Sequence, residues 1–360
     1  MKNKVCIIGA GMIAKSAHIP AYLSEKDDFE IVGIADFNLE SAKSAAEEFN
    51  IPYFYDNVDT MLENCNPDVV SVCTPNLTHK EYVLKALNSG ANVLCEKPLA
   101  VKYKDAVEMF DLAEKKGKIL MACQSLRFLP ERLAAKKLID DGETGNIYYG
   151  EFARIRRRGI PTWGKFHIKE FSGGGAFLDI GVHAVDSGIW LMGNPKMKSV
   201  NAVMNKVHAD EIGSDKSSGA LKGGVNTSAF NPDDMNVESF SSGNIRFENG
   251  ASATFRVSWA ANLRDENNIT LSGEKLGINI ENRKIYSGEK EERNLKVLPN
   301  GFESEPFYGH FCLVKNLANA IKGNEKPFVT REETLNVTAV IEAAYLSAER
   351  KKEVLFEELL

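Results

Sequence analysis

The chain has 360 residues, which at roughly 100–200 residues per domain points to two domains rather than one core. Apolar residues make up 43% and charged residues 26%, so neither a disordered nor a fibrous chain fits. Lys and Arg number 44 against 50 Asp and Glu, a formal charge of −6, which offers a phosphate backbone little bulk attraction and sets nucleic acid aside as a partner.

No run approaches the roughly 18–20 apolar residues of a membrane span, so no membrane partner is expected. The N-terminal Met1-Lys2-Asn3-Lys4 leads straight into Val5-Cys6-Ile7-Ile8, too short for a signal-peptide core, and a soluble cytoplasmic protein is expected. Six scattered cysteines form no C-x-x-C pair, so reduced, buried thiols are expected and no metal site.

Apolar runs at Val5–Ile8, Ile31–Ala35, Tyr53–Tyr55, Val69–Cys73, Val93–Cys95 and Ile119–Cys123 alternate with helix-period segments such as 39–49, 78–88 and 103–116. That alternation predicts a parallel, doubly wound dinucleotide-binding sheet over residues 1–124. From 125 to 360 longer alternating runs (147–154, 199–207, 237–247, 251–259, 268–280) and the tight turn Glu248-Asn249-Gly250 predict an α/β domain with a large, mainly antiparallel sheet. Helices are predicted over 177–192 and from the capping box Thr330-Arg331-Glu332-Glu333 to about 351, and a Gly/Ser/Asn-rich loop over 209–235.

The first strand ends in Gly9-Ala10-Gly11-Met12-Ile13-Ala14, a G-x-G-x-x-A between strand and helix. Gly9 allows the tight turn, Gly11 lets the backbone approach a pyrophosphate, and Ala14 keeps helix and strand close. The helix N-terminus faces the phosphates. Asp36 closes the second strand, where a carboxylate binds ribose hydroxyls and repels a 2′-phosphate; residues 37–39 carry no arginine, so NAD is favoured over NADP.

Lys97 follows the fifth strand, at the sheet edge where such folds bind ligands. Asp179 and His183, four apart on a predicted helix, share one face, as a site pair or as an ordinary helical pair. The basic stretch Arg154, Arg156, Arg157, Arg158 precedes Trp163; alternation turns Arg157 away from the other three. Arg157 and Trp163 are candidates to line a substrate pocket, against a solvated strand with a core tryptophan. Tyr308 and His310 are weaker pocket candidates.

Together these residues resemble the Gfo/Idh/MocA family of glucose-fructose oxidoreductase and inositol dehydrogenase relatives. The likeness rests on Gly9–Ala14, His18-x-Pro20, Thr74-Pro75-Asn76 with His79, Glu96-Lys97-Pro98, and Gly173-Gly174 with Asp179, Gly181, His183 and Asp186, and it runs nearly the whole chain. The resemblance implies a Rossmann domain that holds NAD through Gly9, Gly11, Met12, Ile13, Ala14, Asp36, Thr74, Pro75, Asn76, His79, Glu96 and Lys97. It implies a sugar, sugar derivative or cyclitol as substrate, with Lys97, Asp179 and His183 as catalytic residues around the reacting carbinol. Glu238-Ser239 departs from the family's Glu-Asp.

Oxidising a secondary alcohol moves a proton and a hydride, and a histidine titrates in the right range for the proton. His183 as base with Lys97 polarising the oxygen, or Lys97 as proton carrier, both fit. Besides net dehydrogenation, a redox-neutral NAD-dependent glycoside-processing enzyme and a non-catalytic dinucleotide-binding regulator remain as alternatives. A largely apolar sheet face covered by a second copy, in a homodimer or homotetramer, is also expected.

Overall fold

The computed structural model describes residues 2–162, 164–207, 230–288, 292–297 and 307–360; Trp163 and most of the expected loop at 209–235 lie outside the described residues. The chain divides into two compact units: Met1–Ala100, Lys104–Phe128 and Pro299–Leu335 form the first, Val101–Tyr103, Leu129–Leu298 and Asn336–Leu360 the second.

The first unit is built on six parallel strands, β1 (Asn3–Ile8), β2 (Phe29–Ala35), β3 (Tyr53–Tyr55), β4 (Val69–Val72), β5 (Asn92–Cys95) and β6 (Leu120–Ala122), in the order β3-β2-β1-β4-β5-β6. Helices α1 (Ile19–Ser24), α2 (Leu39–Phe49), α3 (Val58–Cys65), α4 (His79–Asn88) and α5 (Tyr103–Lys116) connect them. The central strands are buried at nearly every residue, as a sheet covered on both faces requires. Asn38 and Asn57 cap α2 and α3 by accepting from Glu40 N and Thr60 N, and Asn50 and Asn66 end the same helices in left-handed conformation. All six cysteines are free, and five are buried.

Besides its N-terminal residues, the first unit takes in a late segment, Pro299–Leu335. There, helix α9 (Tyr308–Ile321) approaches the turn Ser125–Phe128 so closely that a Cβ on Gly309 would lie 2.1 Å from Ser125 O. Phe128 stacks on Phe328 at 4.2 Å, and the buried Arg127 pairs with Glu333 at 2.6 Å. These contacts join residues about 200 apart, which leaves no local signal in the sequence.

Among the described residues the second unit carries nine strands: β7 (Ile147–Ile155), β8 (Met197–Asn205), β9 (Phe240–Phe247), β10 (Ser252–Ser258), β11 (Glu266–Gly273), β12 (Leu276–Asn279), β13 (Lys284–Ser287), β14 (Glu292–Asn294) and β15 (Val354–Leu355). Their order is β14-β13-β12-β11-β7-β10-β9-β8-β15, antiparallel except for the β7/β10 pair. The β9–β10 hairpin turns at Glu248-Asn249-Gly250, with Gly250 at φ +88° and Asn249 accepting from Ala251 N. The run expected as one strand at 268–280 is two, since Lys275 N reaches back to Thr144 O and turns the chain after Gly273.

Helices α6 (Pro130–Asp140), the single turn α7 (Lys169–Ser172), α8 (Val182–Leu191) and α10 (Arg331–Arg350) complete the set; α10 opens on the expected reciprocal Thr330–Glu333 cap. One sheet face packs on α8 and the turn before it: Phe152 lies against Gly188, Val257 against Gly181, and Phe255 against Phe177. The opposite face differs from the apolar surface expected. It carries Tyr149 bonded to Glu151 and Thr254, Arg256 paired with Glu266, and Asn268 bonded to Thr270.

Gly9 sits at φ +95° with Cys73 O 2.7 Å from where its Cβ would be, whereas a Cβ on Gly11 would meet nothing within 4 Å. Gly9→Ala should therefore cost about 1–3 kcal/mol of stability and lower the melting temperature. Gly11→Ala should leave melting unchanged while weakening NAD binding, as read by calorimetry.

Candidate active site

At the carboxyl ends of β1 and β2 the glycine loop and Asp36 are joined: Ala10 N donates to Asp36 Oδ2 at 2.8 Å and Asn38 N to Oδ1 at 2.9 Å. Gly11 is exposed, Met12 and Ile13 are half-buried, and Ala14 is fully buried where a π-wound turn, Ala14–His18, leads into α1. The loop thus offers open backbone at Gly11, and Asp36 keeps spare lone pairs beside it with the side chain of Phe37 turned to solvent. This donor set fits an NAD pyrophosphate and ribose, with no arginine at 37–39 to hold a 2′-phosphate.

After β4, Thr74 and Pro75 lead into a short 3₁₀ turn, Asn76–Thr78, and Thr78 Oγ1 donates to Thr74 Oγ1 at 2.8 Å. His79 points into the protein. It is fully buried, with Nδ1 2.8 Å from Pro98 O and Nε2 2.9 Å from Thr74 O, so it ties together the loops that follow β4 and β5.

Glu96 is likewise enclosed rather than presented. His18 Nε2 and His310 Nε2 reach its Oε1 at 2.9 and 3.1 Å, Lys97 N donates to Oε2 at 3.2 Å, and the buried Cys123 thiol adds a fourth donor. Behind His18, Nδ1 meets Ser71 Oγ at 3.1 Å and Tyr22 meets the same hydroxyl at 2.9 Å. Burial opposes ionisation of Glu96, but the bonds from His18 and His310 outweigh it and hold the carboxyl well below its ordinary range. His18, Glu96, Cys123 and His310 are residue types that ligate metals, and their ligand atoms lie within 4.8 Å of one another. Separations of 2.9 and 3.1 Å are hydrogen-bond lengths, and the carboxylate is already saturated by protein donors. Lys97, next in the chain, is half-buried, and Tyr308 is half-buried at the start of α9.

In the second unit, the turn Gly173–Gly175 leads into a π-wound segment, Phe177–Gly181, and then α8. A Cβ on Gly174 would lie 2.1 Å from Tyr345 OH and one on Gly175 2.0 Å from Glu238 O, so both glycines are required by packing. Glu238, which the sequence marked only as a departure in its pairing with Ser239, accepts from Gly175 N, Phe177 N and Tyr345 OH at 2.8–2.9 Å. It caps the helical segment that carries Asp179 and His183; burial pushes its carboxyl upward against those three bonds.

Asp179 and His183 are both half-buried on this segment. Trp259, not singled out in the sequence, donates Nε1–H to Asp179 Oδ2 at 3.0 Å, and Asp186 is buried. Arg157, expected in the pocket, is exposed: its chain N–H is taken by Asp265 and its side chain has followed the alternation outward. Arg154 has the strand parity of Phe152, which packs on Gly188 of α8.

Burial holds His18 and His79 below the ordinary histidine value of 6.5. The unfolded chain therefore takes up protons first as pH falls through about 6.5, so stability is highest above that pH and declines beneath it. Glu96 loses its contribution only at lower pH, as the acid range is entered. The melting temperature should fall between pH 7.5 and 5.5, and His79→Ala should flatten that fall in a calorimetric pH series.

A family described as an oxidoreductase family with an NAD-binding Rossmann fold matches residues 3–124, and its C-terminal domain matches residues 133–279. The chain is 34% identical over 349 residues to D-glucoside 3-dehydrogenase of Escherichia coli, covering 96% of this chain and 95% of that one. It is 34% identical over 210 residues to glucose-6-phosphate 3-dehydrogenase of Bacillus subtilis, covering 56% and 58%. The fold is shared with the WlbA dehydrogenase of Bordetella pertussis, solved with NADH and UDP-GlcNAcA, at a TM-score of 0.77, 23% identity and 99% coverage of both chains. Among the described residues no helix is long and apolar enough to cross a membrane. The chain belongs to the Gfo/Idh/MocA family and is an NAD-binding oxidoreductase that acts on CH–OH groups.

Proposed function

We propose that the protein oxidises a secondary hydroxyl of a glucoside or related sugar, at position 3 of the ring, with NAD. The observation that carries this reading is the full-length likeness to a D-glucoside 3-dehydrogenase together with Lys97, Asp179 and His183 standing at the matching motifs. The B. subtilis relative, by its name, also acts at position 3.

NAD, when bound at the Gly9–Ala14 loop and Asp36, supplies the hydride acceptor. Lys97, as a cation beside the carbinol oxygen, stabilises negative charge that develops as the O–H proton leaves. His183 accepts that proton, with Lys97 as the second candidate carrier. Asp179, oriented by Trp259 Nε1, accepts from a neighbouring sugar hydroxyl and fixes which carbon is presented. Thr74, Pro75 and Asn76, in the turn after β4 at the carboxyl edge of the sheet, would help to hold the NAD.

Three substitutions test this on the best substrate from a glucoside panel, followed by absorbance of NADH. Lys97→Ala and His183→Ala should each lower kcat roughly 10²–10⁴-fold with NAD affinity retained, and the double variant should fall short of the product of the two losses. Near-normal turnover in either single variant would remove that residue from the mechanism. Asp36→Ala should narrow a preference for NAD over NADP worth about 1–3 kcal/mol. Product without net NADH would favour the redox-neutral alternative.

A further inference from the structure

In β7, alternate residues share a face, and Phe152 lies against Gly188 of α8, so Arg154, two residues on, also points to the helix side of the sheet. The register sets Arg154 opposite Val257 on β10 and Asn267 on β11, and Val257 itself touches Gly181 of the turn that carries Asp179. Trp259, two residues beyond Val257, bonds Asp179 from the same face. Arg154 and Asp179 therefore share one layer of this unit.

The other cations nearby have partners. Arg132, close enough to raise the local potential at Arg154, gives Nη1 to Ser187 and Nη2 to Glu281. Arg156 bonds Gly159 O. Arg154 Nη1 is shut off from solvent and meets no acceptor; Arg132 also has an unmet Nε, but both arms of its fork are held by Ser187 and Glu281. Burial, with Arg132 and Arg156 adding repulsion, pulls its guanidinium down to about 10, while Asp179 and Glu281 act in the opposite sense. A desolvated donor without an acceptor is costly unless something supplies one.

A guanidinium donor and a carboxylate acceptor in one layer form a complementary pair for two adjacent hydroxyls: the carboxylate accepts from one O–H while the guanidinium donates to the oxygen of its neighbour. We infer that Arg154 is a substrate-contacting, specificity-determining residue whose Nη1 donates to one oxygen of a vicinal diol on the sugar, the other hydroxyl being held by Asp179. This inference rests on the proposed sugar reading and deepens it.

The test compares methyl D-glucoside with its 2-deoxy and 4-deoxy analogues on the wild type and Arg154→Ala. Arg154→Ala should raise KM roughly 10- to 100-fold, the size of a charged hydrogen bond, with kcat and NAD affinity near wild type. The deoxy analogue that lacks the contacted hydroxyl should lose a similar factor on the wild type and nothing further on Arg154→Ala. Added methylguanidine should restore part of the variant's KM, which a purely structural role would not allow. A KM within about twofold of wild type, or deoxy penalties that persist unchanged in the variant, would overturn the assignment. If Arg154→Ala does not fold, Arg154→Met, which keeps the bulk and removes every donor, carries the same comparison, and unchanged deoxy penalties there overturn it. Calorimetric binding of methyl D-glucoside to the NADH complex reads the contact without turnover. Binding that weakens in the variant while the wild type shows no NAD reduction supports the contact and defeats the dehydrogenase reading; equal binding defeats the contact alone.

Discussion

A carboxylate buried in an apolar interior must be matched by donors, and Glu96 meets that demand with groups from four places in the chain. His18 comes from the helix after the glycine loop, Cys123 from the end of β6, His310 from α9, and the fourth donor is the peptide N–H of Lys97 itself. Removing any one partner leaves a charge or a donor unpaired in low dielectric, which costs more than the bond is worth in water. The network therefore fastens the carboxyl edge of the Rossmann sheet and fixes the backbone from which Lys97 projects. His79 adds a second fastening at that edge by bridging the carbonyls of Thr74 and Pro98.

The second unit solves a similar problem with different groups. The helical segment bearing Asp179 and His183 starts with free N–H groups that must be satisfied, and Glu238, itself held by Tyr345, accepts from two of them. Gly174 and Gly175 let the chain pass close enough for this to happen. Trp259 then orients Asp179 from the sheet. In both units a buried glutamate positions the residues proposed to act on substrate without acting on it.

Much of this was legible in the sequence where the cause is local. Alternating apolar runs and helical periods located all six strands of the first sheet, because a strand buried on both faces must be apolar throughout. Gly9 and Asp36 were legible because turn geometry and a strand-end carboxylate leave compositional marks. The glutamate networks were not, since His18 and His310 are separated by most of the chain, and Glu238 and Tyr345 by 107 residues. Arg157 and Arg154 show the same limit: alternation separated their faces correctly, but only the packing of Phe152 on α8 reveals which face is inside. The alternation of the second sheet was legible, but its apolar set faces α8, which leaves polar side chains such as Tyr149 and Arg256 on the face expected to be apolar.

On the proposed reading, the carbinol carbon at C3 of the sugar delivers hydride to NAD. Methyl D-glucoside deuterated at C3, incubated with the enzyme and NAD, tests it directly: NADH should carry the deuterium, and turnover should slow relative to the unlabelled sugar. NADH formed without deuterium would contradict oxidation at that carbon, and no NADH from any sugar of the panel would contradict the dehydrogenase reading itself.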